Sequence, residues 1–120
     1  MIRFLPLLTL AVLLLTMHAL LDFPLQGTFL ATMKNHRTNP RGVPSWPRVP
    51  WGWPLFWHAW LHAVGVVWIT GSYAAGLVEL VSHAGIDYLK SEGRLSFTVD
   101  QWAHIAVKGI IIALRVRGIV

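Results

Sequence analysis

Four pairs of metal-ligand-type side chains, each four residues apart within apolar sequence, constrain this chain more than any other feature. They are His18–Asp22, His58–His62, His83–Asp87 and Asp100–His104, with Gln26 four residues past Asp22 and Glu79 four before His83. On a helix a spacing of i, i+4 puts both side chains on one face, one turn apart. Every aspartate of the chain, Asp22, Asp87 and Asp100, has a histidine at that distance. The pattern predicts helices that each turn two polar groups the same way.

Composition says where such helices belong. The chain has 120 residues, 55% of them hydrophobic and only 12% charged, about half the charged share of an average soluble domain. One domain is the expectation, with membrane as the default class. The net charge of +5 lies mostly at the ends of apolar segments and in one loop, which suits lipid headgroups and orientation rather than nucleic acid. With no cysteine, disulfides, thiolate zinc sites and iron–sulfur clusters are excluded.

The chain divides into four apolar segments, about residues 4–23, 55–70, 73–90 and 97–114, with a polar Pro/Trp-rich loop over 34–54. Arg3 ahead of Leu5 to Leu15 has the look of a signal peptide, but the stretch before Ala19 is a poor cleavage site and cutting there would divide His18 from Asp22. Pro24 is expected to end or kink the first segment, and 25–33 reads as a short helix at the membrane surface. Trp46, Trp51, Trp53 and Trp57 suit headgroup depth, which makes 34–54 an interfacial loop, or alternatively a surface for a protein partner. Gly71-Ser72 leaves so little linker that segments two and three must be antiparallel neighbours, with Gly65, Gly71, Ala74, Ala75 and Gly76 allowing close approach.

Four spans would put both polar loops on one side, where Lys34, Arg37, Arg41, Arg48, Lys90 and Arg94 outweigh Glu92. The opposite side carries Arg3, Arg115 and Arg117, so the loops are expected on the cytoplasmic face of a bacterial inner membrane. All four pairs then fall at similar depth toward that face, an agreement their spacing did not require.

Ionisable groups within a span are turned inward and paired or given a function. Imidazole with carboxylate suits a divalent metal, zinc first, with iron or manganese as alternatives. The expected ligands are His18, Asp22, His58, His62, His83, Asp87, Asp100 and His104, with Asp100, Gln101 and Glu79 as candidates for catalytic roles. Eight ligand groups exceed the four of a closed zinc site, leaving others for a second metal, for orienting imidazoles or for general base work. A metal with an open position favours hydrolysis, while carboxylate-and-His helices are also the ingredients of oxidative di-iron bundles.

Plainer readings stand beside these. His18–Asp22 and His83–Asp87 could be ion pairs that ease insertion, His58–His62 an interfacial face, and Asp100 a helix N-terminal acid. His36 reads as a solvated loop residue and Lys90 as a snorkelling anchor. Glu79 has no basic partner within its own segment. Segments one, two and four read as nearly featureless in their other halves, which disfavours an ion or metal conduit. Haem held by two imidazoles is disfavoured by the carboxylates alongside.

Taken together, His18-x-x-x-Asp22-Phe-Pro-Leu-Gln26, Met33-Lys34-Asn35, His58-Ala-Trp-Leu-His62, His83-Ala-Gly-Ile-Asp87-Tyr-Leu-Lys90 and Asp100-Gln101-x-x-His104 resemble the small bacterial and phage integral-membrane family termed domain of unknown function 3307. The resemblance covers nearly the whole chain. It implies His18, Asp22, Gln26, His62, His83, Asp87, Asp100, Gln101 and His104 as site residues, with His58 and Lys90 as further matches. The His/Asp pattern is also similar to that of membrane-bound metal-dependent hydrolases, so the resemblance raises that activity by analogy. The sequence thus leads to the expectation of an all-α integral membrane four-helix bundle, multi-pass and in contact with lipids, with a metal site near the cytoplasmic face and a hydrolytic role on a lipid or lipid-linked substrate. The rival is a non-enzymatic phage or bacterial membrane protein that forms pores, contacts the envelope or conducts ions.

Overall fold

The computed structural model describes residues 5–39 and 44–120. Five helices follow one another, α1 (Leu7–Asp22), α2 (Gly27–Met33), α3 (Gly52–Thr70), α4 (Tyr73–Ser91) and α5 (Phe97–Val116), and the described residues contain no strand. The four long helices form a ring in which α1 touches α3 and α5, and α4 touches the same two. The short α2 lies against α3. Expected and observed helices agree closely, except that α3 starts three residues earlier, at Gly52, with Pro54 accommodated in its first turn.

Pro24 ends α1 as its missing N–H requires. The chain then turns through Gly27, whose φ of +67° lies in the left-handed region, and α2 leaves at 84° to α1. A second left-handed glycine, Gly71 at φ +69°, closes α3, and Ser72 caps α4 by accepting from the Ala75 N–H. Glycine at C′ followed by a serine N-cap makes a two-residue reversal. The two helices then press together at Gly76, where an added Cβ would sit 2.3 Å from Val67 Cγ2 and 3.2 Å from the Ala63 carbonyl oxygen.

One end of the ring is apolar, a cluster of Leu10, Leu14, Val66, Ile69, Ala75 and Ile111. The other end holds polar groups, and His18, Asp22, His58, His62, Glu79, His83, Asp87, Asp100, His104 and Lys108 are all buried. Outward faces are apolar, with Leu8, Trp68, Val81 and Trp102 each more than 60% exposed. Charged side chains are almost never fully buried unless paired, and those at the polar end lie against one another. By length and composition a single described helix, Phe97–Val116, suffices alone to cross a membrane, and α1 with α2 passes only as a bent pair. The expected span from Phe4 begins outside the described residues, and α1 itself has 16 residues, about 24 Å of rise.

The loop over 34–54 is tied to the bundle more firmly than a solvated connection would be. Asn39 donates to the carbonyls of Met33 and Val49 and so draws its two ends together. His36 is partly buried rather than solvated, stacked on Tyr88 with ring centroids 4.8 Å apart and bonded through Nε2 to Glu92. Arg37 also reaches Glu92. The hydrogen bond from His36, aided by the charges of Arg37 and Arg94, holds the Glu92 carboxyl below its ordinary value of 4.5.

Candidate metal centre

Each ring helix delivers its pair to the same place. His18 and Asp22 lie in the last turns of α1, His58 in the first half and His62 at the middle of α3, His83 and Asp87 in the second half of α4, and Asp100 and His104 in the first half of α5. Since neighbours in the ring run in opposite directions, these positions meet at the loop end. The ring centroids of His18 lie 5.1 Å from His62 and 4.8 Å from His104, and those of His62 and His83 are 3.8 Å apart. All eight expected ligands come together, and all are buried or nearly so.

Asp22 is the hub. Its Oδ1 lies 3.2 Å from Nε2 of both His58 and His62 and 3.7 Å from Nε2 of His83, while Oδ2 lies 3.4 Å from Nε2 of His18. Asp87 is a second hub, with Oδ2 3.6 Å from His58 Nε2 and 3.7 Å from His83 Nε2, and Oδ1 3.5 Å from His104 Nε2. Asp100 Oδ1 lies 3.6 Å from the same nitrogen of His104. Donors about 2.0–2.1 Å from one zinc ion stand about 3.3 Å apart around a tetrahedron, which matches the spacings at Asp22.

Of these contacts, only His58 Nε2 to Asp22 Oδ1 is a hydrogen bond. His18 Nε2, His62 Nε2, His83 Nε2, His104 Nε2 and Asp100 Oδ1 are buried without a hydrogen-bond partner, a state normally avoided in native structures. Three sets have their donor atoms within 4.8 Å of one another: His18, His62, Glu79 and His83; Asp22, His58, His62 and His83; and His83, Asp87 and His104. His83 belongs to all three.

Surrounding groups orient the donors. Glu79 Oε1 lies 3.2 Å from His83 Nδ1, which places the N–H there and leaves Nε2 with a free lone pair, the carboxylate–histidine arrangement usual behind a metal ligand. Lys108 Nζ in turn donates to Glu79 Oε1 at 2.5 Å. Gln101 donates from Nε2 to Asp22 Oδ2 at 3.2 Å and to Asp100 Oδ2 at 3.0 Å, so it clamps two carboxylates. Gln26 donates to the Asp22 backbone oxygen.

Three lysines join the site: Lys90, to which the family resemblance points, and Lys34 and Lys108, which it does not place there. Lys108 supplies the partner Glu79 lacked, and α5 is therefore not featureless beyond His104. Its signal was present, since Asp100, His104 and Lys108 continue one i, i+4 ladder. Lys90, read above as a snorkelling anchor, donates to Asp100 Oδ2 at 2.9 Å while its side chain stays 40% exposed. Lys34 reaches Asp87 Oδ2 at 2.6 Å across 53 residues of sequence, a pairing without local signature. Asp100, 1% exposed, is more than a helix-capping acid.

The architecture is an all-helical ring closed around a buried cluster of imidazoles and carboxylates. The chain belongs to the family described as protein of unknown function DUF3307, whose model matches residues 10–118. No curated protein and no solved structure matches it.

Proposed function

We propose that this chain is an integral membrane four-helix bundle holding a divalent metal centre near the cytoplasmic face, and that it acts as a metal-dependent hydrolase on a lipid or lipid-linked substrate. The observation that carries this reading is the convergence of the unpartnered, buried Nε2 atoms of His18, His62, His83 and His104 on the Asp22 and Asp87 carboxylates near ligand-to-ligand spacing. Ion pairing for insertion does not require four of them to be left without hydrogen bonds.

Membrane embedding is supported by the many large hydrophobic side chains exposed on the outer faces of α1, α3, α4 and α5, since extended apolar surface marks a protein or membrane interface. Histidines and tryptophans lower the apparent hydropathy of α3, yet both of its histidines face inward. The basic loops support a cytoplasmic position for the polar end.

A divalent ion bound there supplies Lewis acidity, acidifying water and polarising an ester oxygen. The chain's own part is to fix donors in position, with Glu79 setting the His83 tautomer and Gln101 bridging the Asp22 and Asp100 carboxylates. A through-conduit is opposed by the apolar plug of Leu10, Leu14, Ile69 and Ile111 at the far end. The decisive experiment is elemental analysis of purified protein, followed by assay on phospholipid and lipid-linked esters before and after chelation. Stoichiometric zinc, iron or manganese with chelator-sensitive turnover is expected, whereas protein free of metal after purification in metal-replete buffer would overturn the reading.

A further inference from the structure

A cavity of about 240 Å³ opens beside the cluster, lined by Gln26, Lys34, Asn35, Asp87, Lys90 and Ser91. Its lining is largely polar, whereas the grooves beside Trp60 and Trp68 are lined almost wholly by apolar groups. Asp87 belongs both to its wall and to the metal-ligand set with His83 and His104. We infer that this cavity is the substrate's docking site and that it takes a phosphate group, so that the substrate class is a phosphate ester; the inference rests on the metal centre proposed above.

Charge supplies the first argument. The buried carboxylates Asp22, Glu79, Asp87 and Asp100 face three ammonium groups, Lys34, Lys90 and Lys108, which leaves one negative charge with the imidazoles neutral. A single divalent ion reverses that to one positive charge and a second ion to three. In a poorly solvated site such an excess strongly favours an anionic ligand.

Geometry supplies the second. Lys34 and Lys90 flank the cavity, and each ammonium sits on a carboxylate of the cluster, Asp87 and Asp100 respectively. A metal ion held by Asp87 would weaken that carboxylate's hold on Lys34, and flexible four-carbon stems would let the ammonium groups of Lys34 and Lys90 turn toward a phosphate. α4 ends here with its carbonyl dipole opposing an anion, which makes the paired lysines necessary. The Gln26 side-chain oxygen, buried and without a partner, can accept from a protonated phosphate or a bound water.

The test uses the full chain in detergent, loaded with zinc and its metal content measured first. Inorganic phosphate and, separately, acetate are titrated calorimetrically into the wild type, Lys34→Gln, Lys90→Gln and Lys34→Arg. Phosphate should bind, with acetate much weaker, and each Gln variant should lose roughly tenfold in affinity, the scale of one charge-assisted contact, while Lys34→Arg retains most of it. A second arm offers nanodiscs of phosphatidylcholine with or without phosphatidic acid. Displacement of phosphate by phosphatidic acid identifies a lipid headgroup as the source, and its failure to compete identifies a soluble phosphate ester; the docking site stands in both cases. Retained metal with no phosphate binding, with acetate bound equally well, or with affinity unmoved in both Gln variants, overturns this inference alone. A wild type that retains no metal overturns the metal centre and this inference together.

Discussion

Lys108 Nζ lies 2.5 Å from Glu79 Oε1, and both side chains are closed to solvent. The pair joins α5 to α4 behind His83, at the boundary between the polar cluster and the apolar plug. Removing one partner leaves a buried charge uncompensated, so Lys108→Ala should destabilise the protein by about 3–5 kcal/mol. The double replacement Lys108→Met with Glu79→Met should cost much less. Thermal unfolding in one detergent measures both, and a double variant that loses more than Lys108→Ala would show that the cost does not come from leaving the Glu79 charge uncompensated.

His83 is common to all three ligand sets found among the described residues, whereas Asp87 belongs to one. His83→Ala should therefore abolish metal retention, and Asp87→Ala should lower it while sparing ions held at Asp22. Both variants should still insert, since neither faces lipid. Metal-to-protein ratios by elemental analysis read this directly, and unchanged occupancy in His83→Ala would reassign the residue to structure.

Close approach of α3 and α4 rests on Gly76. Its Cβ would collide with Val67 and crowd the Ala63 carbonyl, so Gly76→Ala should destabilise the bundle by about 1–3 kcal/mol through overpacking. An unfolding midpoint at or above the wild type would show that the helices adjust freely.

The loop latch depends on Glu92. Because His36 and the nearby arginines depress its carboxyl, its contribution is complete at pH above 4.5 and is lost as pH falls through the lowered value. Acidification through that range, or Glu92→Gln at neutral pH, should free the loop and raise its cleavage by a protease active under both conditions. Cleavage unaffected by either would show that Asn39 alone secures it.

Ser45 is exposed on the loop. In the proposed orientation, Ser45→Cys should react with impermeant thiol reagents only after the inner membrane is opened. Labelling from the outer side would reverse the topology.

The sequence by itself determined the helices and which polar side chains share a helix face. Pairs at i, i+4, Pro24, and Gly71 with Ser72 act over one or two turns, so His18, Asp22, His58, His62, His83, Asp87, Asp100 and His104 could be read as ligands on common faces. Tertiary structure decided which atoms meet. That Asp22 lies at the centre of four imidazoles, that Lys34 and Lys90 guard one cavity, that Lys108 sits on Glu79 and that His36 is fastened to Glu92 all depend on the packing of helices distant in sequence. Local spacing fixes a direction around one helix axis, whereas a contact between helices is set by their mutual height and rotation, which side-chain packing along their whole length decides.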